Sequence, residues 1–176
     1  MRALYYDDPI VTAPLARSLF LAGPTSAGSR TAWRIEALAI LEQRGFDGSV
    51  IIPEFREGSF AALAPVRFGA PVSSIASMRS TSFNILQWET AGIEHVSVAL
   101  FWMPFALAAE GDPASLPGFT TRAEVSRELA RDASRIVLGM PERALSASHI
   151  RYHAHLANVR VWATLGETID AALAKV

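Results

Sequence analysis

The stretch Ser18-Leu19-Phe20-Leu21-Ala22-Gly23-Pro24 decides the fold: five uncharged residues of strand character run into a glycine and then a proline. Four further runs repeat the design, namely Val50-Ile51-Ile52, Val96-Ser97-Val98-Ala99-Leu100-Phe101-Trp102, Arg135-Ile136-Val137-Leu138 and Val159-Arg160-Val161-Trp162. Three of these also halt at or near a proline, Pro53, Pro104 and Pro141. Proline has no N–H to give a ladder, so each marks the end of a strand. Amphipathic segments fill the gaps. Trp33, Ala37, Ile40, Leu41 and Arg44 recur at helical spacing, and Gly45 follows them as a C′ residue. A second helix is expected from Asn84 to about Glu94, a third from Thr121 to Asp132, and a last one after Gly166 with Ile169 and Leu173 turned inward.

Strands alternating with helices specify an α/β fold. The expectation is a single-domain, doubly wound, Rossmann-like or flavodoxin-like sheet of five parallel strands with helices on both faces. Right-handed crossovers place all the strand ends on one edge, and open α/β sheets bind their ligands there. The stretch from Arg56 to Ser82 is rich in Ala, Ser, Pro and Gly and far longer than a strand-to-helix connection needs, so it reads as a lid or an irregular insertion.

With 176 residues, 51% hydrophobic and 19% charged, the chain suits one globular domain with a sizeable core. A formal net charge of -1 gives no electrostatic footing for nucleic acid polymers. The absence of cysteine excludes disulfides, thiolate catalysis, iron–sulfur clusters and cysteine-bound zinc. No apolar run approaches the roughly 20 residues of a membrane helix, and Met1 to Pro9 lacks the apolar core of a signal peptide, so a cytoplasmic protein is expected.

Few residues stand out chemically. Gly23-Pro24-Thr25-Ser26-Ala27-Gly28 lies between the first strand and the first helix, where backbone N–H groups can meet an anion or a sugar, or form an ordinary turn. It has neither the dinucleotide fingerprint nor the P-loop pattern. Gly118-Phe119-Thr120-Thr121-Arg122-Ala123-Glu124 puts a carboxylate in the first turn of the third helix. Thr121 and Glu124 also spell a capping box, so a structural and a catalytic role both stand open for Glu124. Gln87-Trp88-Glu89 supplies a second carboxylate beside an indole. No metal site is expected: His149 and His153 form an i, i+4 pair without the glutamate of a metalloprotease helix, and read as surface histidines. No nucleophile elbow of a serine hydrolase follows any strand.

Taken together in order, Phe20-Leu21-Ala22-Gly23-Pro24, Gln87-Trp88-Glu89 with Gly92-Ile93, Leu100-Phe101-Trp102-Met103-Pro104, and Pro117-Gly118-Phe119-Thr120-Thr121 leading to Glu124 resemble the nucleoside 2-deoxyribosyltransferase-like family. The match spans most of residues 1–176. It implies that Glu124 is the nucleophile and that Glu89 positions the substrate and handles the proton of the leaving base. It also implies a homo-oligomer that takes a small nucleoside or nucleotide and needs no cofactor. One position departs from the pattern: the aspartate that holds the base six residues before the nucleophile is Gly118 here.

A carboxylate fixed beneath a sugar ring stabilises the oxocarbenium charge that develops as an N-glycosidic bond breaks, and can then bond to the anomeric carbon. Phe55, Trp88 and Trp102 are candidates to stack on the base, and Arg56 to meet a 5′-phosphate. Gly23, Pro24, Thr25, Gly118, Thr120 and Thr121 are candidate substrate contacts at the loop ends. Glu128 follows Glu124 by one turn, so an arginine, Arg127 or Arg131, is expected beside them to offset the repulsion. Two other readings are a nucleotide-binding module that has lost catalysis, and an assembly role for the 56–82 stretch.

Overall fold

The structure is a computed structural model that describes residues 1–25, 32–56, 81–105 and 118–176, with the backbone alone for 81–84. The described strands are β1 (Arg2–Leu4), β2 (Ser18–Ala22), β3 (Ser49–Ile51), β4 (Val98–Trp102), β5 (Ile136–Gly139) and β6 (Val161–Trp162). They form one sheet in the order β1-β3-β2-β4-β5-β6, with every pairing parallel. The helices are α1 (Ala32–Gln43), α2 (Thr81–His95), α3 (Phe119–Asp132), α4 (Ser148–Leu156) and α5 (Leu165–Leu173).

The uncharged runs become central strands because both of their faces are covered. All five residues of β2 and all five of β4 are buried. Phe20, Ala22, Ala99 and Phe101 enter one core with Trp88, Ile93, Val125, Leu129, Ile150 and Ala154 from α2, α3 and α4. Leu19, Leu21, Val98, Leu100 and Trp102 enter a second core with Trp33, Ala37, Leu41, Leu165 and Ile169 from α1 and α5. Each buried Leu, Ile or Phe side chain contributes about 1.5 to 3 kcal/mol of transfer free energy. At Gly92 a Cβ would stand 2.7 Å from Phe20 Cε2, so only glycine lets α2 pack this close to the sheet.

Six strands replace the expected five. The extra one is β1, whose three residues Arg2-Ala3-Leu4 bury only Leu4 and therefore show almost no pattern. Its pairing with β3 carries the next residues, Tyr5 to Asp8, to the same edge as the ends of β2, β3 and β4. Helix α4 was likewise not expected, because it buries only Ile150 and Ala154 and so lacks a readable stripe. At α1 the reading holds: Gly45 has φ +70°, and the N–H of Phe46 donates to Leu41 O over 3.0 Å. The 56–82 stretch lies, apart from its ends, outside the described residues.

Candidate active site

Glu89 on α2 and Glu124 on α3 line one concavity of about 210 Å³, together with Leu86, Thr90, Ile93, Thr120, Ala123 and Arg127. The head of α3 is set by Gly118, which takes the left-handed conformation (φ 59°, ψ 41°). A Cβ there would lie 2.5 Å from Phe105 Cε1 and 3.0 Å from Pro24 Cγ. The loops after β2 and β4 thus close on the start of α3, as expected of a shared ligand edge. Two expectations about this helix are corrected. It begins at Phe119, so Glu124 is its sixth residue and sits in the second turn, not the first. Thr121 lies inside the helix and is buried, and Gly118 makes no side-chain cap, so Thr121 and Glu124 form no capping box. Both follow from the glycine: its backbone starts the helix two residues before Thr121.

The electrostatics of the pair depart from those of surface glutamates. Burial is the main cause that lifts the Glu124 carboxyl from 4.5 to about 7, followed by the charge of Glu89, while Arg127 and Arg34 oppose the rise. Helix position does not keep it ionised. Burial also raises Glu89, against the hydrogen bond from Tyr6 and the charge of Arg34. The Tyr6 hydroxyl donates a short hydrogen bond to Glu89 Oε1. Burial first and the charge of Glu89 second push the phenol far above its ordinary range, so it remains a donor. The charge of Glu89 thus adds to burial in holding the proton on Glu124. The expected arginine is Arg127, whose Nε stands 2.8 Å from Glu128 Oε1, whereas Arg131 pairs with Glu94 at 2.7 Å.

A buried framework supports the site. Arg34, fully buried on α1, forms a 2.8 Å ion pair with Glu54, just past β3. Its Nη2 donates to Gly23 O (2.8 Å), Nη1 to Thr25 Oγ1 (3.1 Å) and Nε to Leu21 O (3.1 Å). Trp33 Nε1 donates to Pro24 O over 3.0 Å. Gly23, Pro24 and Thr25 are therefore held from within by α1, and the rest of that loop, residues 26–31, lies outside the described residues.

The other candidates divide. Phe55 is half-buried, with its ring centroid 5.0 Å from that of Tyr6. Trp88 is 5% exposed, meets Tyr6 edge-on at 5.1 Å, and gives its indole N–H to Asp8 O (3.1 Å). It is a core wall, not an open stacking face. Trp102 points into the opposite core beside Trp33, because side chains alternate along β4, and is not brought to the carboxylates. Arg56 is bound to Asp8 at 2.7 Å, so a carboxylate already occupies the guanidinium proposed for a phosphate.

Sequence reading missed Tyr6, Asp8, Arg34 and Glu54. Their only signal is position: each lies directly after a short strand or on the buried face of α1. A larger concavity of about 870 Å³ lies at the outer edge by β6 and α5. Its charged groups have structural duties: Asp170 binds Arg44, Glu167 caps α5, Lys175 donates to Ser134 O and Ile136 O, and Arg160 lies over the Trp162 ring. Among the described residues no helix is long and apolar enough to cross a membrane. The chain matches no family model and no curated protein.

Proposed function

We propose that the protein cleaves the N-glycosidic bond of a nucleoside or nucleotide through a glycosyl-enzyme intermediate on Glu124, as the sequence resemblance to nucleoside 2-deoxyribosyltransferase-like proteins implies. The observation that carries this reading is the meeting of Glu89 and Glu124 in one concavity, both with carboxyls raised by burial. Retaining glycosidases use two carboxyl groups, one as nucleophile and one as acid and base.

In the proposed reaction a Glu124 carboxylate oxygen bonds to the anomeric carbon as the C–N bond breaks. Glu89 gives its proton to the departing base, and the bond electrons leave with the nitrogen. Water then attacks the ester, Glu89 takes its proton back, and the free sugar departs; a second base in place of water makes the reaction a transfer. Developing positive charge at the anomeric carbon favours ionised Glu124, and burial favours the protonated form of Glu89. The Tyr6 hydroxyl and the Arg34 charge hold Glu89 within reach of ionisation, so that it can recover after giving the proton. The described concavity is below the roughly 300 Å³ of common ligand pockets, which suits the reacting sugar more than a whole substrate.

Gly118 favours a second reading. It offers no acid to hold a base, which suits a nucleotide-binding module without turnover. Under the leading reading the protein is cytoplasmic, homo-oligomeric and free of cofactors. Intact-protein mass measurement after mixing with 2-fluoro-substituted nucleosides separates the two. A glycosyl adduct on the peptide bearing Glu124 supports the enzyme; binding with no adduct and no released base supports the module.

A further inference from the structure

Helix α4 buries Ile150 and Ala154 and carries His149, exposed, and His153, half-buried, along the flank of that face. Their Nε2 atoms lie 3.2 Å apart, and the ring centroids 4.4 Å, at an interplanar angle of 58°. The Tyr152 ring stands edge-on to His153 at 5.5 Å and limits the freedom of that imidazole. Two imidazole nitrogens bound at 2.0 to 2.1 Å to one tetrahedral ion stand about 3.3 Å from each other, so the observed separation is already that of two adjacent ligands. Sequence spacing put these residues on one helix face but said nothing of where their nitrogens meet.

We propose that His149 and His153 form a surface site for a divalent transition ion of the zinc, nickel or copper class, which imidazole ligands favour. The ion takes the place of the hydrogen bond between the two rings: the ring that donates from Nε2 carries its proton on Nδ1 instead, so that both Nε2 lone pairs face the metal. Among the described residues no set of three or more His, Asp or Glu could hold a metal, so two coordination positions stay open to water or to the same pair on a second copy. The site is remote in kind from the carboxylate pair, and its test does not depend on turnover.

The full chain is titrated with zinc chloride by calorimetry, with light scattering on the same samples. Uptake of one ion per chain supports the proposal, as does one ion per two chains with a doubled mass. Affinity falls by about 10-fold or more in His149→Ala and in His153→Ala, since a lost ligand costs at least as much as the 10- to 100-fold of a lost supporting partner, and it stays unchanged in His155→Ala. His149 is exposed and His153 half-buried, and circular dichroism checks that the variants remain folded. No zinc uptake, or uptake that survives the His149→Ala/His153→Ala double substitution, overturns it.

Discussion

Glu124 is a residue whose environment outweighs its address in the helix. Its place in the second turn leaves little of the helix-end field, whose influence fades within the first turn. Burial then decides, and the folded carboxyl stands near 7 against 4.5 for an ordinary one. Between these values the unfolded chain has lost the proton and the native state has kept it, so stability falls as pH rises from about 4.5 to about 7. The full difference is up to about 3 kcal/mol at pH 8. Urea unfolding followed across pH should show this decline in the wild-type protein and a shallower one in Glu124→Gln, where the neutral amide replaces the protonated acid while the raised Glu89 still contributes. Glu124 and Glu89 could be picked from the sequence because each sits in a short motif. Tyr6 could not, since a tyrosine after a three-residue edge strand has no pattern to mark it.

At the scale of elements, a turn and a glycine aim the nucleophile candidate. Gly118→Ala forces a side chain into a left-handed backbone and against Phe105, whose ring also lies 3.7 Å from the Arg122 guanidinium carbon. The expected cost is about 1 to 3 kcal/mol, as a lowered urea midpoint with an unchanged slope, and activity falls with it because the start of α3 shifts. The central strands were legible because burial on both faces writes an uncharged run into the sequence. Strand β1 and helix α4 were not, since an edge strand and a mostly exposed helix bury too few residues to leave a period. The false capping box shows the same limit from the other side. Thr121 and Glu124 have the right spacing, but Gly118 starts the helix earlier, and spacing alone does not reveal a backbone dihedral angle.

Across the whole molecule, the parallel sheet gathers residues distant in sequence at one edge. Tyr6 follows β1, Thr25 follows β2, Glu54 and Phe55 follow β3, and Phe105 follows β4. Arg34 binds two of these loops to α1 and lowers the carboxyls of both Glu89 and Glu124. Arg34→Met therefore acts twice. It leaves Glu54 as a buried carboxylate without its cation, a loss of about 3 to 5 kcal/mol in chemical unfolding. In whatever fraction stays folded, it shifts the acid limb of the activity profile to higher pH. The sequence could supply the sheet and the convergence of its loop ends; it could not supply this framework, because Arg34 lies on the apolar stripe of α1 where a charge reads as an exception.

In the proposed reaction ionised Glu124 breaks the bond between a sugar and a base. Release of free base from a panel of nucleosides and their monophosphates, followed by chromatography for wild type and Glu124→Gln between about pH 5 and 9, is the decisive measurement. Wild-type release is expected to rise through about pH 7 as Glu124 ionises, with none from the folded glutamine variant. Undiminished release by Glu124→Gln would contradict that role.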